Sequence, residues 1–419
     1  EFSTSREKNN YWHGSRGILL PAPIAYSHYM ESSTADRETA GHILGVSLES
    51  GIRDGIFPGG VAAWRSRSGT GLAARGTLRW PQAEPAARPV TPETVYDLAS
   101  LTKIVSTLPL MLLTLSAGRL ALDDSADSLL PEMKAGTGRT WNHAITVRNL
   151  LSHSSGLPAW RPFFVRLHRK EDYLSAIAGE TPAYPPNSAV EYSDLGFMLL
   201  GWILERAWDE DLPALAAQRL FKPLGMETTG YRPGSDPRFK GRDFAPTENG
   251  NAFERGMALA YAERKPVIGG YGTTYPLEPV ELGSLAWREG VIEREVHDAN
   301  CHYGLGGVSG HAGLFSTAGD LLRWCSFWDE GGMLDPGIRA EAFKRQTPPA
   351  SVARGLGWLL DDDGSAHHTG FTGTSIRYSP RIGTALVALT NRVHPTVRDG
   401  IGPWRLRLAH AMDGCMRNG

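Results

Sequence analysis

The spacing of apolar side chains predicts helices toward both ends of the chain. Residues 36–53 open with a capping aspartate and then carry apolar positions every three or four residues, the period of an amphipathic helix. Residues 100–115 are largely apolar, so we expect a helix there with a kink at Pro109. A closing helix is expected over residues 403–412.

Strand patterns lie on both sides of a middle part that is mainly helical. Residues 61–66 and 72–80 predict two strands around a Ser68-Gly69 turn. Further strands are expected at residues 355–360, 367–379 and 384–391, after a helix at 317–328. Helical periods in the middle part cover residues 146–151, 172–178, 196–208 and 211–220, between loops rich in glycine and proline.

These elements predict an α+β fold in which both chain ends build one domain. Residues 36–118 and 310–419 would form an antiparallel sheet flanked by the N- and C-terminal helices. Residues 119–309 would form a large, mainly helical inserted subdomain with long loops, in which residues 230–295 have no clear period. Residues 1–35 also lack a period and are expected to be an N-terminal extension.

Composition narrows the class of protein. A net charge of −2 provides no basic surface for nucleic acid, and 41% hydrophobic residues indicate a globular chain. The three cysteines are too few for a disulfide framework. The longest apolar run, residues 104–115, is too short and interrupted to span a bilayer. We therefore expect a soluble protein of undefined oligomeric state, cytoplasmic or periplasmic, since a start at Glu1 is compatible with a removed leader.

A candidate nucleophile stands at the start of the second predicted helix, in Ser100-Leu-Thr-Lys103. Residues three apart share one helix face, so the Lys103 amine can reach the Ser100 hydroxyl. Serine needs a neighbouring base, and lysine serves as one only if its pKa falls below about 10.4. Another Ser-x-x-Lys, Ser5 to Lys8, lies in a charged tail, so the motif is not specific by itself.

Two further segments carry matching chemistry. Tyr192-Ser-Asp194 precedes an apolar helix, and Tyr192 could transfer protons if cations stabilise its phenolate. His368-Thr369-Gly370 begins a predicted strand beside the glycine-rich Gly370-Phe-Thr-Gly373, and the edge of that strand could present a main-chain N–H to a developing oxyanion.

In this order the motifs resemble the serine β-lactamase/penicillin-binding-protein superfamily. The closest likeness is to its branch of class C β-lactamases, D-Ala-D-Ala carboxypeptidases and esterases. It covers about Asp36 to Met412 and includes Leu150–Pro158, Phe221–Met226, Gly310–Ala318 and Leu389–Asn391. The resemblance implies a β-lactamase/transpeptidase-like fold and a serine hydrolase that works through an acyl-enzyme, with no metal and no cofactor.

The resemblance also implies residue roles. Ser100 would attack a carbonyl, while Lys103 and Tyr192 activate it and carry protons to the leaving group. The N–H groups of Ser100 and Phe371 would form the oxyanion hole. His368, Thr369 and Gly370 would line the strand side of the site.

Two positions depart from the family pattern. Asp194 stands where many relatives have asparagine, and an ionised aspartate only accepts hydrogen bonds. It could pair with Lys103 and hold it charged, or repel an anionic substrate. His368 replaces a lysine, which predicts a weaker, pH-dependent positive site.

The substrate stays open at this point. Esters, amides or peptidoglycan-derived peptides are the first expectation, and β-lactams or D-Ala-D-Ala peptides the second. An acylated sensor that does not turn over is a third. A metal-dependent hydrolase using His297, Cys301 and His302 is disfavoured because no His-Glu-x-x-His or Cys-x-x-Cys is present. His153 and His311 are interpreted as structural.

Overall fold

The computed structural model of the protein describes residues 34–67, 69–81, 87–134, 144–265, 275–329 and 332–417. The predicted N-terminal extension, apart from its last two residues, and the second Ser-x-x-Lys lie outside the described residues. Part of the loop ahead of Ser100 also lies outside them.

Two antiparallel sheets are present in the described chain. The strands are β1 Gly59–Ser66, β2 Gly69–Gly76, β3 Tyr96–Asp97, β4 Gly230–Tyr231, β5 Leu314–Ser316, β6 Leu359–Leu360, β7 Ala366–Thr369, β8 Ser375–Ser379 and β9 Thr384–Thr390. The large sheet has the order β2-β1-β9-β8-β7-β6, and the small sheet has the order β3-β5-β4. Because β1 pairs with both β2 and β9, the two chain ends share one sheet.

The helices surround these sheets. They are α1 Thr34–Arg53, α2 Leu108–Ser116, α3 Ala126–Leu129, α4 Val147–Leu151, α5 Lys170–Gly179, α6 Asp194–Trp208, α7 Leu212–Ala216, α8 Ala252–Ala262, α9 Pro279–Leu282, α10 Ala318–Trp324, α11 Pro336–Phe343 and α12 Ile401–Arg417. The α+β class expected from the sequence is confirmed. The division at residues 118/119 and 309/310 stays a prediction.

The centre of the large sheet is buried on both faces. All residues of β1 are buried, and their side chains alternate between two clusters. Val61 and Ala63 belong to the main core, whereas Ala62 and Trp64 pack with side chains of α1 and α12. This explains why residues 61–64 of β1 are a continuous apolar run rather than an alternating one.

The predicted helix 36–53 matches α1 within two residues, the predicted helix 403–412 is longer in the structure, as α12, and the boundaries change at several other elements. The expected strand at residues 367–379 is wrong, because the chain reverses at 370–374 and forms the hairpin of β7 and β8. Gly373 makes this turn at a φ of +120°, a conformation that favours glycine. The predicted strand 72–80 lies earlier in the chain, as β2, and the predicted strand 355–360 shortens to β6. The predicted helices 211–220 and 317–328 end in π- and 3₁₀-helical turns.

The apolar stretch around Ser100 is not a uniform helix. A 3₁₀ turn at Ala99–Leu101 leads into a π-helical segment, Lys103–Thr107, before α2 begins. The irregularity expected at Pro109 therefore lies one turn earlier, because proline cannot donate a hydrogen bond to the preceding turn. By length and composition Ala99–Ser116 is apolar enough to cross a membrane, contrary to the prediction, but 78% of this stretch is buried inside the protein.

Candidate active site

A sharp turn presents Ser100 at the end of β3. The Leu98 N–H donates to the Leu314 carbonyl (2.9 Å), which continues the small sheet up to the turn. Ala99 then adopts a φ of +47°, an uncommon value for a residue with a side chain. Its N–H donates to Asp97 Oδ1 (2.8 Å), which holds the turn in place. Such strain is characteristic of functional sites.

Lys103 lies beneath Ser100 and has three hydrogen-bond acceptors. Its Nζ lies 2.9 Å from Ser100 Oγ, 2.7 Å from Asp194 Oδ1 and 3.1 Å from the His311 carbonyl oxygen. The side chain is fully buried. An ammonium group has three N–H donors, so the three acceptors satisfy it completely.

The charge of Lys103 differs from the sequence expectation. Burial by itself lowers the pKa of a lysine, but the negative charge of Asp194, which also accepts a hydrogen bond from Lys103, outweighs burial and raises the pKa of Lys103. The lowered pKa that a free lysine base requires is therefore absent. Lys103 is a charged ammonium paired with Asp194, the first of the two arrangements considered for that aspartate.

Tyr192 is packed between aromatic rings just before α6. The ring of His153 lies 4.4 Å from it, and that of His368 lies 5.9 Å from it, between centroids. The Ser193 N–H donates to His153 Nδ1 (2.9 Å), so His153 fixes both the ring and the following main chain. The structural interpretation of His153 thus extends to positioning Tyr192.

Tyr192 is a neutral phenol rather than a phenolate. Burial raises its pKa above the ordinary value, although hydrogen bonds and charge from Lys103 oppose this effect. The guanidinium of Arg354 lies 5.5 Å from the ring centroid. These cations do not overcome the cost of burying a phenolate, so Tyr192 is suited to donate a proton.

The turn between β7 and β8 is tied to the turn that carries Ser100. Thr372 Oγ1 donates to the Asp97 carbonyl (2.8 Å), and Thr374 Oγ1 donates to the Leu98 carbonyl (3.0 Å). A Cβ atom on Gly370 would lie 2.4 Å from the Leu98 carbonyl oxygen, so only glycine fits. Phe371 lines the same pocket as Ser100.

His368 does not provide the expected positive wall. It is buried, and burial together with the charges of Lys103 and Arg354 holds its pKa well below the ordinary value. Its Nδ1 lies 3.0 Å from the Thr369 carbonyl oxygen, which only accepts, so Nδ1 carries the proton. The permanent charge on this side belongs to Arg354, which the sequence analysis did not identify.

A second, partly buried carboxyl group, that of Asp298, lies near Lys103. Asp298 Oδ1 is 3.1 Å from His311 Nε2, and the Cys301 N–H also donates to it (2.7 Å). His311, together with these hydrogen bonds, overcomes burial and lowers the pKa of Asp298 to about 2. His311 thus contacts both groups: its ring lies against Asp298, and its carbonyl oxygen accepts a hydrogen bond from Lys103.

The three residues considered as metal ligands each contact a different partner. His297 contacts Glu248 (3.1 Å), the Cys301 thiol faces the Ala312 carbonyl, and His302 lies nearest Glu295. In the described part of the chain, the side chains close enough to share an ion are instead Asp194, Asp298 and His311. Lys103 already supplies a cation to Asp194 in that group.

Ser100 opens onto a cavity of about 180 Å³. Its walls combine aromatic and aliphatic side chains with three carboxyl groups: Trp160, Phe253, Met257, Phe371, Asp194, Glu254 and Asp298. Thus the structure brings Ser100, Lys103, Tyr192, Asp194 and His368 together, and the 370–374 turn, which was not predicted from the sequence, lies beside them. Arg354, Glu254 and Asp298 complete the surroundings.

Comparison with known proteins places the chain in context. The family model described as Beta-lactamase matches residues 55–411. A protein of Escherichia coli (strain K12) named "Putative D-alanyl-D-alanine carboxypeptidase" is 30% identical over 336 residues, which cover 74% of this chain and 71% of that protein.

Two further proteins that are similar to this chain have names that describe other activities. The "N-acetylmuramyl-L-alanine amidase" of Bacillus subtilis (strain 168) is 28% identical over 340 residues, covering 73% of this chain and 70% of that protein. The solved structure of EstCE1, a hydrolase with promiscuous acyltransferase activity, superposes with a TM-score of 0.66 at 23% identity, over 90% of this chain and 99% of that one.

Proposed function

We propose a substrate class and a proton path from one premise: the chain belongs to the beta-lactamase family and is a serine hydrolase. The proposed reaction is hydrolysis of an ester or amide, including peptidoglycan-type amides, through an acyl-enzyme on Ser100. The observation that carries the proposal is the continuous hydrogen-bonded line from Ser100 through Lys103 to Asp194, beside the pocket that Ser100 lines.

Acylation needs a base, and the carboxylate of Asp194 is the acceptor in that line. As Ser100 Oγ attacks the carbonyl carbon, its proton passes to Lys103 while Lys103 transfers one to Asp194. The N–H groups of Ser100 and Phe371 receive the negative charge on the carbonyl oxygen. Lys103 therefore conducts the proton while remaining an ammonium, consistent with its raised pKa.

The leaving group requires a proton, which the Tyr192 hydroxyl supplies. When the tetrahedral intermediate collapses, Tyr192 protonates the departing oxygen or nitrogen and is reprotonated through Lys103 from Asp194. The proton lost by Ser100 thus ends on the leaving group. Water then attacks the acyl-enzyme along the same path in reverse, which releases the acid and restores Ser100.

The environment of Arg354 supports a second candidate function, that of a carboxypeptidase. The side chain is only 6% exposed, and its Nε and Nη1 have no hydrogen-bond partner among the described residues. An unpaired buried guanidinium is costly unless a ligand completes it, and a carboxylate matches its geometry. A leaving group with a free carboxylate, as in a D-Ala-D-Ala peptide, would supply that partner. The name of the Escherichia coli relative supports the same class.

A substrate panel tests these candidates. We would measure kcat/KM for a short-chain p-nitrophenyl ester, an N-acyl muramyl peptide amide, a D-Ala-D-Ala peptide and a penicillin, in wild type and Ser100→Ala. We expect ester or amide turnover that resists a chelator and disappears in Ser100→Ala. Turnover that persists in Ser100→Ala would refute the proposal, whereas a lasting penicillin adduct without turnover would favour the sensor.

A further inference from the structure

The pocket beside Ser100 is lined by acidic side chains, which does not suit an anionic acyl group. Its lining includes the carboxyl groups of Asp194, Glu254 and Asp298. None of the described residues that line it is a lysine or an arginine. Two of the three carboxyls have a basic partner outside the lining, Lys103 for Asp194 and His311 for Asp298.

Glu254 is the carboxyl group without a cationic partner in contact. Its Oε2 accepts hydrogen bonds from the Ala299 N–H (2.9 Å) and from Asn251 Nδ2 (3.1 Å). No hydrogen bond to Oε1 is present among the described residues, and the side chain lines the pocket while only 7% of the residue is exposed. Burial and the nearby charge of Asp298 raise the pKa of Glu254 well above the ordinary value.

Two guanidinium groups in this part of the structure do not pair with Glu254. Arg288 donates to Asn251 Oδ1 (2.8 Å) and to the Val296 carbonyl (2.7 Å). Arg392 donates to the Phe371 carbonyl (3.0 Å) from behind the ring. Neither guanidinium donates to Glu254 in the described part of the chain, so Glu254 Oε1 is available to a cation inside the pocket.

The remaining walls also suit a cation. Trp160, Phe253 and Phe371 line the cavity, and the two phenylalanine rings lie 4.9 Å apart between centroids. The faces of aromatic rings attract ammonium groups, most strongly where water is excluded. A volume of about 180 Å³ accommodates a small acyl group rather than a long chain.

From this arrangement we infer that the pocket selects acyl groups that carry an ammonium, with Glu254 as the substrate-binding residue that recognises it. The preferred donor is then an aminoacyl ester or amide whose amine lies near the scissile carbonyl. This inference rests on the proposed acyl-enzyme function at Ser100 and adds the chemistry of the acyl group.

The test compares two acyl groups of equal length. Alanine p-nitroanilide, in both enantiomers, carries the ammonium, and propanoyl p-nitroanilide has a hydrogen in its place. We expect kcat/KM of the wild type for one alanine enantiomer to exceed that for the propanoyl compound by about tenfold or more, the scale of a charged hydrogen bond. Equal values, or a preference for the propanoyl compound, would overturn the inference without any variant.

Variants then test whether Glu254 causes the preference for the alanine substrate. Glu254→Gln keeps an oxygen for the Ala299 and Asn251 donors but cannot ionise, so the ratio of the two kcat/KM values should fall about tenfold. Phe253→Leu should reduce the ratio less, because one aromatic face is lost. The control Glu49→Gln, on the exposed side of α1, should leave the ratio at its wild-type value.

The two proposals fail in different ways. If Glu254→Gln retains its melting temperature and also the wild-type ratio, Glu254 is not the selector and the inference is wrong. If the p-nitrophenyl ester is hydrolysed through Ser100 but neither alanine enantiomer is preferred, the inference fails while the hydrolase proposal stands. If no substrate is turned over and Ser100 forms no adduct, the hydrolase proposal itself fails.

Discussion

Lys103 and Asp194 together decide how a proton leaves Ser100. A buried lysine without an anion would lose its proton and act as a base directly. Here the carboxylate lies 2.7 Å away and Lys103 remains charged. In the proposed path, Asp194 rather than Lys103 is therefore the base. Asp194 is the position at which many relatives have asparagine.

Replacing Asp194 separates this proton relay from a lysine base. In Asp194→Asn the largest contribution that raises the Lys103 pKa is removed, so that pKa falls. The variant must then rely on neutral Lys103, so its kcat/KM should rise with pH and at pH 7 lie about 10²–10³-fold below wild type. A pH–rate profile of ester hydrolysis measures this. A variant that is faster than wild type at pH 7 would contradict the relay.

Lys103 itself is expected to be essential for acylation. Lys103→Ala removes the link between Ser100 and Asp194, and the rate of reaction with a fluorophosphonate should fall by about 10³-fold or more. Lys222→Ala, which removes an exposed lysine, is the matched control. Near-normal acylation of a folded Lys103→Ala protein would rule out the assigned role.

At the level of single residues, the sequence identified side chains in recognisable motifs and missed those outside them. Ser100, Lys103, Tyr192 and His368 lie in short patterns with chemical meaning. Arg354 and Glu254 belong to no such pattern, and their proximity to the site depends on long loops. The pKa values of Lys103 and His368 could not be predicted either, because they depend on burial and on partners distant in sequence.

The turn between β7 and β8 joins the strand side of the candidate site to the turn that carries Ser100, the proposed nucleophile. Three of its features act together: the side chains of Thr372 and Thr374 bond to residues 97 and 98, and Gly370 allows the close approach. The position of the Phe371 N–H is therefore set by contacts between two elements that are far apart along the chain.

Gly370→Ala should damage activity more than stability. The new Cβ would meet Thr374 Oγ1 at 2.1 Å and the Leu98 carbonyl oxygen at 2.4 Å, so the turn must shift and displace the Phe371 N–H. Loss of one oxyanion donor costs about 10²–10³-fold in kcat. The control is Gly402→Ala in α12, where nothing lies within 4 Å of the added atom. Wild-type kcat in Gly370→Ala would show that Phe371 is not a donor.

At the scale of helices and strands, the prediction was accurate where the apolar pattern of an element is simple. Helix α1 and strand β9 follow simple apolar patterns, and both were predicted within two residues. The hairpin of β7 and β8 was missed because its turn contains Phe371 and threonines, which by themselves favour strands. The π-helical segment after Ser100 has no periodic signature in the sequence.

The whole molecule depends on joining its two ends. Strands β1 and β9 pair at the centre of the sheet, and α1 and α12 cover its outer face. Trp404 of α12 donates to the Ser47 carbonyl (2.8 Å), and its ring meets Phe57 edge-on at 4.9 Å. The C-terminal helix therefore stabilises the sheet that carries the catalytic turn.

Trp404→Ala should destabilise the protein substantially. Removal of a buried tryptophan leaves a cavity and an unsatisfied carbonyl, at a cost of about 3–5 kcal/mol. Leu406→Ala on the same helix removes a side chain that is 60% exposed and should change the free energy of unfolding by less than about 0.5 kcal/mol. Urea unfolding measures both, and equal effects would refute this role of Trp404.

The overall architecture was predictable because strand patterns at both ends had to share one sheet, and because the motif order matched a known family. The strand order β2-β1-β9-β8-β7-β6 was not, since register and neighbours depend on packing between distant segments. The short strands β3, β4 and β5 were also missed, because two or three residues show no period.

The most direct test of the account is intact-mass spectrometry and peptide mapping after reaction with a fluorophosphonate. If Ser100 is the nucleophile, we expect one adduct on Ser100 in wild type, none in Ser100→Ala, and a much slower reaction in Lys103→Ala. An adduct on another residue, or equal labelling of a folded Ser100→Ala protein, would contradict the assignment of Ser100 as the nucleophile.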